Sequence, residues 1–156
     1  MSPVGREGGP NWISLGPGCW YSYTAAHEIM HSLGFWHEQM RPDRDQAVEI
    51  VWNNISPAMR YNFGQIPTEK WDSFGSPYDI KSVMQYSGYA FSSNGQATIL
   101  NRRTGRPVDW NTVVSPSDFE QLNKLYPCSP DETGPTIKPN TQPSGTTKLG
   151  FPGHLQ

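Results

Sequence analysis

The sequence predicts a single α+β domain on three observations. Two segments near 21–33 and 115–126 have helical spacing, two short runs at 12–15 and 47–52 read as strands, and the remainder is rich in glycine and proline, fifteen of each in 156 residues. A chain of this length makes one domain at most, and six Trp, seven Tyr and six Phe supply a modest core. The net charge of −2, with no basic run or stripe, argues against nucleic acid or an anionic membrane as partner. No stretch of about twenty apolar residues exists to span a bilayer. Met1-Ser2-Pro3-Val4-Gly5 lacks the charged and apolar regions of a signal peptide, which taken alone reads as cytosolic.

Along the chain, Trp12-Ile13-Ser14-Leu15 is expected as a short strand ahead of the Gly16-Pro17-Gly18 turn. A helix should follow from about Tyr21 to Leu33. It carries His27 and His31, four apart and so on one face, where both imidazoles can grip one ion. Glu28 sits beside the first of them, close enough to act on a water at the metal. Gly34, the residue type that most easily turns left-handed, should end the helix and let the chain fold back to bring in His37 as a third ligand. Three ligands leave one coordination position open, which marks a catalytic zinc site. Two plainer readings stand beside it. The pattern could arise by chance, with its imidazoles in ordinary hydrogen bonds, or it could be a closed structural zinc module, for which Tyr86 is the obvious fourth ligand.

Ala47-Val48-Glu49-Ile50-Val51-Trp52 alternates and is β-branched, hence a short strand broken by Asn53-Asn54. Pro57 suits the first turn of a helical stretch to Tyr61. Residues 62–111 read mostly as loop, with an extended segment at Lys81-Ser82-Val83-Met84. Ser115-Pro116-Ser117-Asp118 offers an N-cap with proline at the first helical position, and Phe119, Leu122 and Leu125 continue at helical spacing to about Tyr126. Beyond Cys128 the composition turns to Pro, Thr, Gly and Ser, so the domain is expected over 1–128 and a flexible tail or linker over 129–156. Asn54-Ile55-Ser56 is a possible glycosylation acceptor, weakened by Pro57.

The stretch from His27 to Glu38, with Phe35 after the glycine and Glu38 after the third histidine, resembles the astacin family of metzincin metallopeptidases. Ser82-Val83-Met84-Gln85-Tyr86 resembles that family's methionine turn, and Arg41-Pro42-Asp43-Arg44-Asp45 also matches its pattern. The resemblance covers about residues 2–128. It implies a zincin-like α+β fold, chiefly the active-site helix and an irregular C-terminal subdomain with a terminal helix. It further implies one zinc ion held by His27, His31 and His37, with Tyr86 as an outer, displaceable ligand, Met84 beneath the site, and Glu28 as general base. The activity implied is zinc-dependent hydrolysis of extended protein or peptide chains, and secretion goes with it. Released from the metal, Tyr86 can donate a hydrogen bond to the oxyanion; its plainer reading is a structural aromatic in a loop.

The chain departs from the family pattern at Gln85, where His is usual, and at Tyr23, where Gly is usual. Only 26 residues precede His27, whereas the family builds a sheet and a long helix there, so the resemblance implies an N-terminally truncated domain with most of that sheet missing. Ser2 to Arg6 and Gly8 to Leu15 resemble the last part of that N-terminal lobe, including the edge strand that lines the cleft and pairs with extended substrate. Cys19 and Cys128 each match one half-cystine of the family's two disulfides, with both partners expected upstream of Met1; the alternative is two buried free thiols. Glu38 is expected to lack the buried N-terminus that partners it in the family. On this basis the competing reading of function is a zinc-binding but catalytically inactive fragment.

Overall fold

Helix α1, Ser22–Ser32, ends as the glycine pattern predicts. Gly34 takes φ +104°, its N–H donates to the His31 carbonyl at 2.9 Å, and the Phe35 N–H donates to the Met30 carbonyl at 3.0 Å. These two bonds form a Schellman cap, which satisfies carbonyls that the helix end would otherwise orphan. Met30 and Phe35, the residues that accompany such a cap with an apolar contact, lie in one buried cluster with Val83 and Met84. The computed structural model describes residues 1–5 and 8–127; Cys128 and the expected tail at 129–156 lie outside the described residues.

The expected strand at 47–52 is realised as β1, Val48–Ile50. It pairs antiparallel with β2, Ile99–Asn101, in the register Val48↔Asn101 and Ile50↔Ile99. β2 falls within the segment expected to be mostly loop. Val48, Ile50 and Ile99 form the main core with Ile55, Phe63 and Val108. Pro57–Phe63 is helical as expected, but in the tighter 3-10 form and running two residues past Tyr61.

Two expected extended segments are absent among the described residues. Trp12 to Leu15 joins no ladder: Ser14 is tied only to Met1, through its N–H at 2.9 Å and its carbonyl at 2.6 Å. No strand lies beside it to pair with, and Trp12 stands 82% exposed. Lys81 to Met84 is a turn, closed by Ser82 N–H to the Asp79 carbonyl at 3.0 Å and Gln85 N–H to the Ser82 carbonyl at 3.1 Å.

Helix α2, Pro116–Leu125, starts at the predicted cap, where Ser115 Oγ accepts from the Asp118 N–H at 3.0 Å and Asp118 Oδ2 accepts from the Ser115 N–H at 2.8 Å. Its apolar stripe is only partly used. Leu122 and Leu125 pack on the cluster of Met30, Phe35, Val83 and Met84, whereas Phe119 is 54% exposed. The buried face is polar instead, formed by Asp118 and Gln121. The second core thus clasps α1, the methionine turn and α2 together.

Candidate metal centre

One turn of α1 carries His27 and His31 on a common face, and the Gly34 reversal returns the chain so that His37 meets them. Their candidate ligand nitrogens all lie within 4.8 Å of one another. His37 Nε2 is 3.2 Å from His27 Nε2 and 3.1 Å from His31 Nε2. All three residues singled out in the sequence are therefore brought together.

Hydrogen bonding decides which nitrogens face inward. His27 Nδ1 lies 2.8 Å from the Val83 carbonyl oxygen and His31 Nδ1 lies 2.7 Å from that of Phe35. A carbonyl only accepts, so both Nδ1 atoms carry hydrogen and both Nε2 atoms present lone pairs. A single N–H at His37 Nε2 could satisfy at most one of them. A cation accepts all three, and nitrogen arms of about 2.0–2.1 Å in a tetrahedron are separated by edges of about 3.3 Å, close to the spacings found. The residues present therefore fit zinc. Burial also holds the rings in the neutral, metal-binding form. It lowers His31 to about 4, with His27 adding to the effect, and pushes His37 well below its usual value, with His31 and His27 adding. His27 is lowered by burial too, against opposing pulls from the Val83 carbonyl, Glu28 and Asp118.

Glu28 is 4% exposed. Its Oε1 lies 3.2 Å from the Met1 amino group, and its Oε2 is buried without a hydrogen-bond partner among the described residues. Tyr86 packs its ring 4.4 Å from that of His37, centroid to centroid. The Tyr86 peptide is held from both sides, its N–H by Gln39 Oε1 at 3.4 Å and its carbonyl by Gln85 Nε2 at 3.0 Å. Gln85 Oε1 in turn accepts from the Tyr78 hydroxyl. Burial, with the charges of Tyr61 and Glu28 adding, pushes the Tyr86 phenol above its usual value, so it stays protonated and able to donate. Met84, 2% exposed, is packed in the cluster below α1.

Glu38 is paired by groups other than the N-terminus, since the Met1 amino group lies against Glu28. Glu38 Oε1 accepts from Arg41 Nη1 at 3.2 Å and from the Asp79 N–H at 2.7 Å. Arg41 is itself 1% exposed. It forks onto Asp43 with two bonds of 2.8 Å, reaches the Ser76 and Pro77 carbonyls, and lies over the rings of Trp71 and Tyr78. The sequence spacing Glu38-x-x-Arg41, an i,i+3 pair, was the available signal. Cys19 is a free, half-buried thiol among the described residues. Asn54 has its amide engaged, Nδ2 donating to the Ala97 carbonyl at 2.6 Å and Oδ1 accepting from Asn94 at 2.9 Å. Tyr23 is half-buried, packed against the cluster of Met30, Phe35, Val83 and Met84, stacked on Tyr21 at 5.3 Å and edge-on to Trp110 at 5.8 Å.

Sequence reasoning missed Asp118 and Ser82 as parts of this centre. Asp118 Oδ1 accepts from Ser82 Oγ at 2.6 Å and Oδ2 from the Val83 N–H at 2.9 Å, pinning the turn that supports His27. The Ser115–Asp118 spacing signals a helix cap, but nothing local signals the second set of bonds.

Comparison with known proteins points the same way. The family model for the astacin peptidases matches residues 1–127. Zinc metalloproteinase nas-6 of Caenorhabditis elegans is 46% identical over 129 residues, covering 81% of this chain and 38% of the relative. Blastula protease 10 of Paracentrotus lividus is 41% identical over 134 residues, covering 81% of this chain and 22% of the relative. The chain thus spans well under half the length of these relatives. High choriolytic enzyme 1, a hatching enzyme zinc-protease from the medaka Oryzias latipes, superposes with a TM-score of 0.75 at 39% identity, over 82% of this chain and 64% of that one.

Proposed function

Because the chain belongs to the astacin family, we propose that it is the catalytic part of a secreted zinc metalloendopeptidase that hydrolyses peptide bonds in extended protein substrates. The observation that carries this reading is the convergence of three neutral imidazoles, with two Nε2 lone pairs fixed inward by carbonyls on Nδ1. His27, His31 and His37 hold one zinc ion. When bound, zinc supplies Lewis-acid polarisation of the scissile carbonyl and makes a water acidic enough to ionise near neutral pH.

The rest of the chemistry belongs to the chain's own groups. Glu28, adjacent to the first ligand and almost fully buried, takes the proton of the attacking water and delivers it to the leaving amine. Tyr86, protonated and beside His37, donates a hydrogen bond to the oxyanion as the carbonyl carbon becomes tetrahedral. The Gln39 and Gln85 contacts fix the Tyr86 backbone, and the rings of His37, Phe63 and Phe91 pack against its side chain. A recess of about 460 Å³ walled in part by Tyr89, Arg106 and Trp110 includes none of the triad.

The test is zinc content and hydrolysis of a denatured protein by the wild-type chain and by Glu28→Ala. The reading expects stoichiometric zinc in both and a loss of turnover of about 10²–10⁴-fold in the variant. Activity that persists undiminished in Glu28→Ala would remove Glu28 as the base. Stoichiometric zinc with no wild-type turnover would favour a binding fragment over an enzyme.

A further inference from the structure

His27 is backed by more than one carbonyl. Its Nδ1–H donates to the Val83 oxygen at 2.8 Å. The N–H of that same peptide unit, on Met84, donates to Ser82 Oγ at 3.0 Å, and the Ser82 hydroxyl donates to Asp118 Oδ1 at 2.6 Å. Each group in this line gives at one end and accepts at the other, so the directions are consistent from imidazole to carboxylate. The line is also dry: Ser82 is 1% exposed, Met84 2%, Asp118 2% and Val83 4%.

We propose that Asp118, acting through Ser82 and the Val83–Met84 peptide, orients His27 and strengthens it as a metal ligand. A negative charge on Asp118 makes the Ser82 oxygen a better acceptor, which draws the Met84 N–H outward and leaves the Val83 oxygen more basic. The His27 Nδ1–H is then more strongly bound and Nε2 is the better donor to a cation. Ligand histidines commonly rest on a carboxylate directly; here one hydroxyl and one peptide intervene. Asp118 Oδ2 meanwhile holds the Val83 and Ser115 N–H groups at 2.9 and 2.8 Å, so the cap of α2 and the support of His27 are one carboxylate. His31 rests on the Phe35 carbonyl, outside this line of bonds. Asp118 and Ser82 are positioning residues, and the inference rests on the reading of His27 as a ligand.

The test is the zinc dissociation constant of the full chain, measured by chelator competition, with the ¹⁵N shifts of the His27 ring in the metal-free chain as a second readout. Ser82→Ala removes the middle of the line while leaving Asp118 on Val83 and on its cap. It is expected to weaken zinc by about 10–100-fold and to shift the His27 Nδ1 resonance, while Ser82→Thr recovers most of the affinity. Ser115→Ala loosens the same helix cap without touching the line; it should lower thermal stability with zinc affinity changed by less than about twofold, well short of the change expected when such a partner is lost. Should Ser82→Ala not fold, Ser82→Cys, with its weaker donor and acceptor, must show a graded loss of affinity. Unchanged affinity in a folded Ser82→Ala or Ser82→Cys overturns the relay, as does an equal loss in Ser115→Ala. Zinc uptake that is absent, or indifferent to His27→Ala, overturns the metal centre itself and the relay with it.

Discussion

His31 and Phe35 are bound across the end of a helix: the imidazole Nδ1 lies 2.7 Å from the Phe35 carbonyl oxygen, over the single left-handed turn of Gly34. One reversal therefore orients the second imidazole and delivers the third. A side chain at 34 would meet nothing within 4 Å, so the cost of substitution lies in the backbone at φ +104°. Gly34→Ala should lower stability by about 1–3 kcal/mol and weaken zinc through both His31 and His37. Chemical denaturation and zinc titration check this, and a variant of wild-type stability would show that the turn carries no strain penalty.

Arg41 is buried against Glu38 and Asp43, and removing it strands the Glu38 carboxylate in the interior. Arg41→Ala should destabilise by about 3–5 kcal/mol, as expected for breaking a buried pair from one side. The double variant Arg41→Met with Glu38→Gln, which leaves no orphan charge in the interior because the Asp43 side chain is 42% exposed to water, should recover part of that loss. Urea midpoints decide the matter, and a double variant worse than the sum of its parts would contradict it.

Much of this was legible in the chain itself, and what was not shares a physical reason. The His27 to His37 arrangement follows from helical periodicity and a glycine, both local. The α2 cap is written in Ser115-Pro116-Ser117-Asp118. β2 was not visible because Ile99–Asn101 is three residues long and its partner β1 lies some fifty positions away in sequence. Trp12 to Leu15 has strand composition but no strand to pair with among the described residues, and Lys81 to Met84 is bent into a turn by bonds from Asp79 and Asp118. The same long-range carboxylate was missed as a part of the metal centre, and Arg41 was missed as the partner of Glu38 although the two are close neighbours in sequence.

The metal-free chain should have a definite pH profile. Burial holds His31 at about 4 and lowers His27 and His37 from 6.5. Between these values the unfolded chain binds more protons than the folded one, so stability falls as the pH drops from about 6.5 towards 4. Glu38 acts in the opposite sense: burial raises it from 4.5 to about 7, which costs stability as the pH rises through that interval. Three imidazoles against one carboxylate leave a net gain in stability between about pH 5 and 6.5. Thermal melts of the chelated chain across this range check it, and a flat or inverted profile would contradict the burial of the triad.

Tyr86→Phe keeps the ring contact with His37 and removes only the hydroxyl. Loss of one oxyanion donor predicts a fall in kcat of about 10²–10³-fold with little change in KM. Steady-state kinetics on a peptide substrate separate the two, and a change confined to KM would make Tyr86 a binding residue and not an oxyanion donor.

Zinc-edge X-ray absorption on the zinc-loaded chain tests the metal centre most directly. The structure predicts one zinc per chain with a first shell containing three imidazole nitrogens, and the imidazole scattering should diminish in His27→Ala, His31→Ala and His37→Ala alike. A shell with fewer imidazoles, or one unaltered by those three substitutions, would contradict it.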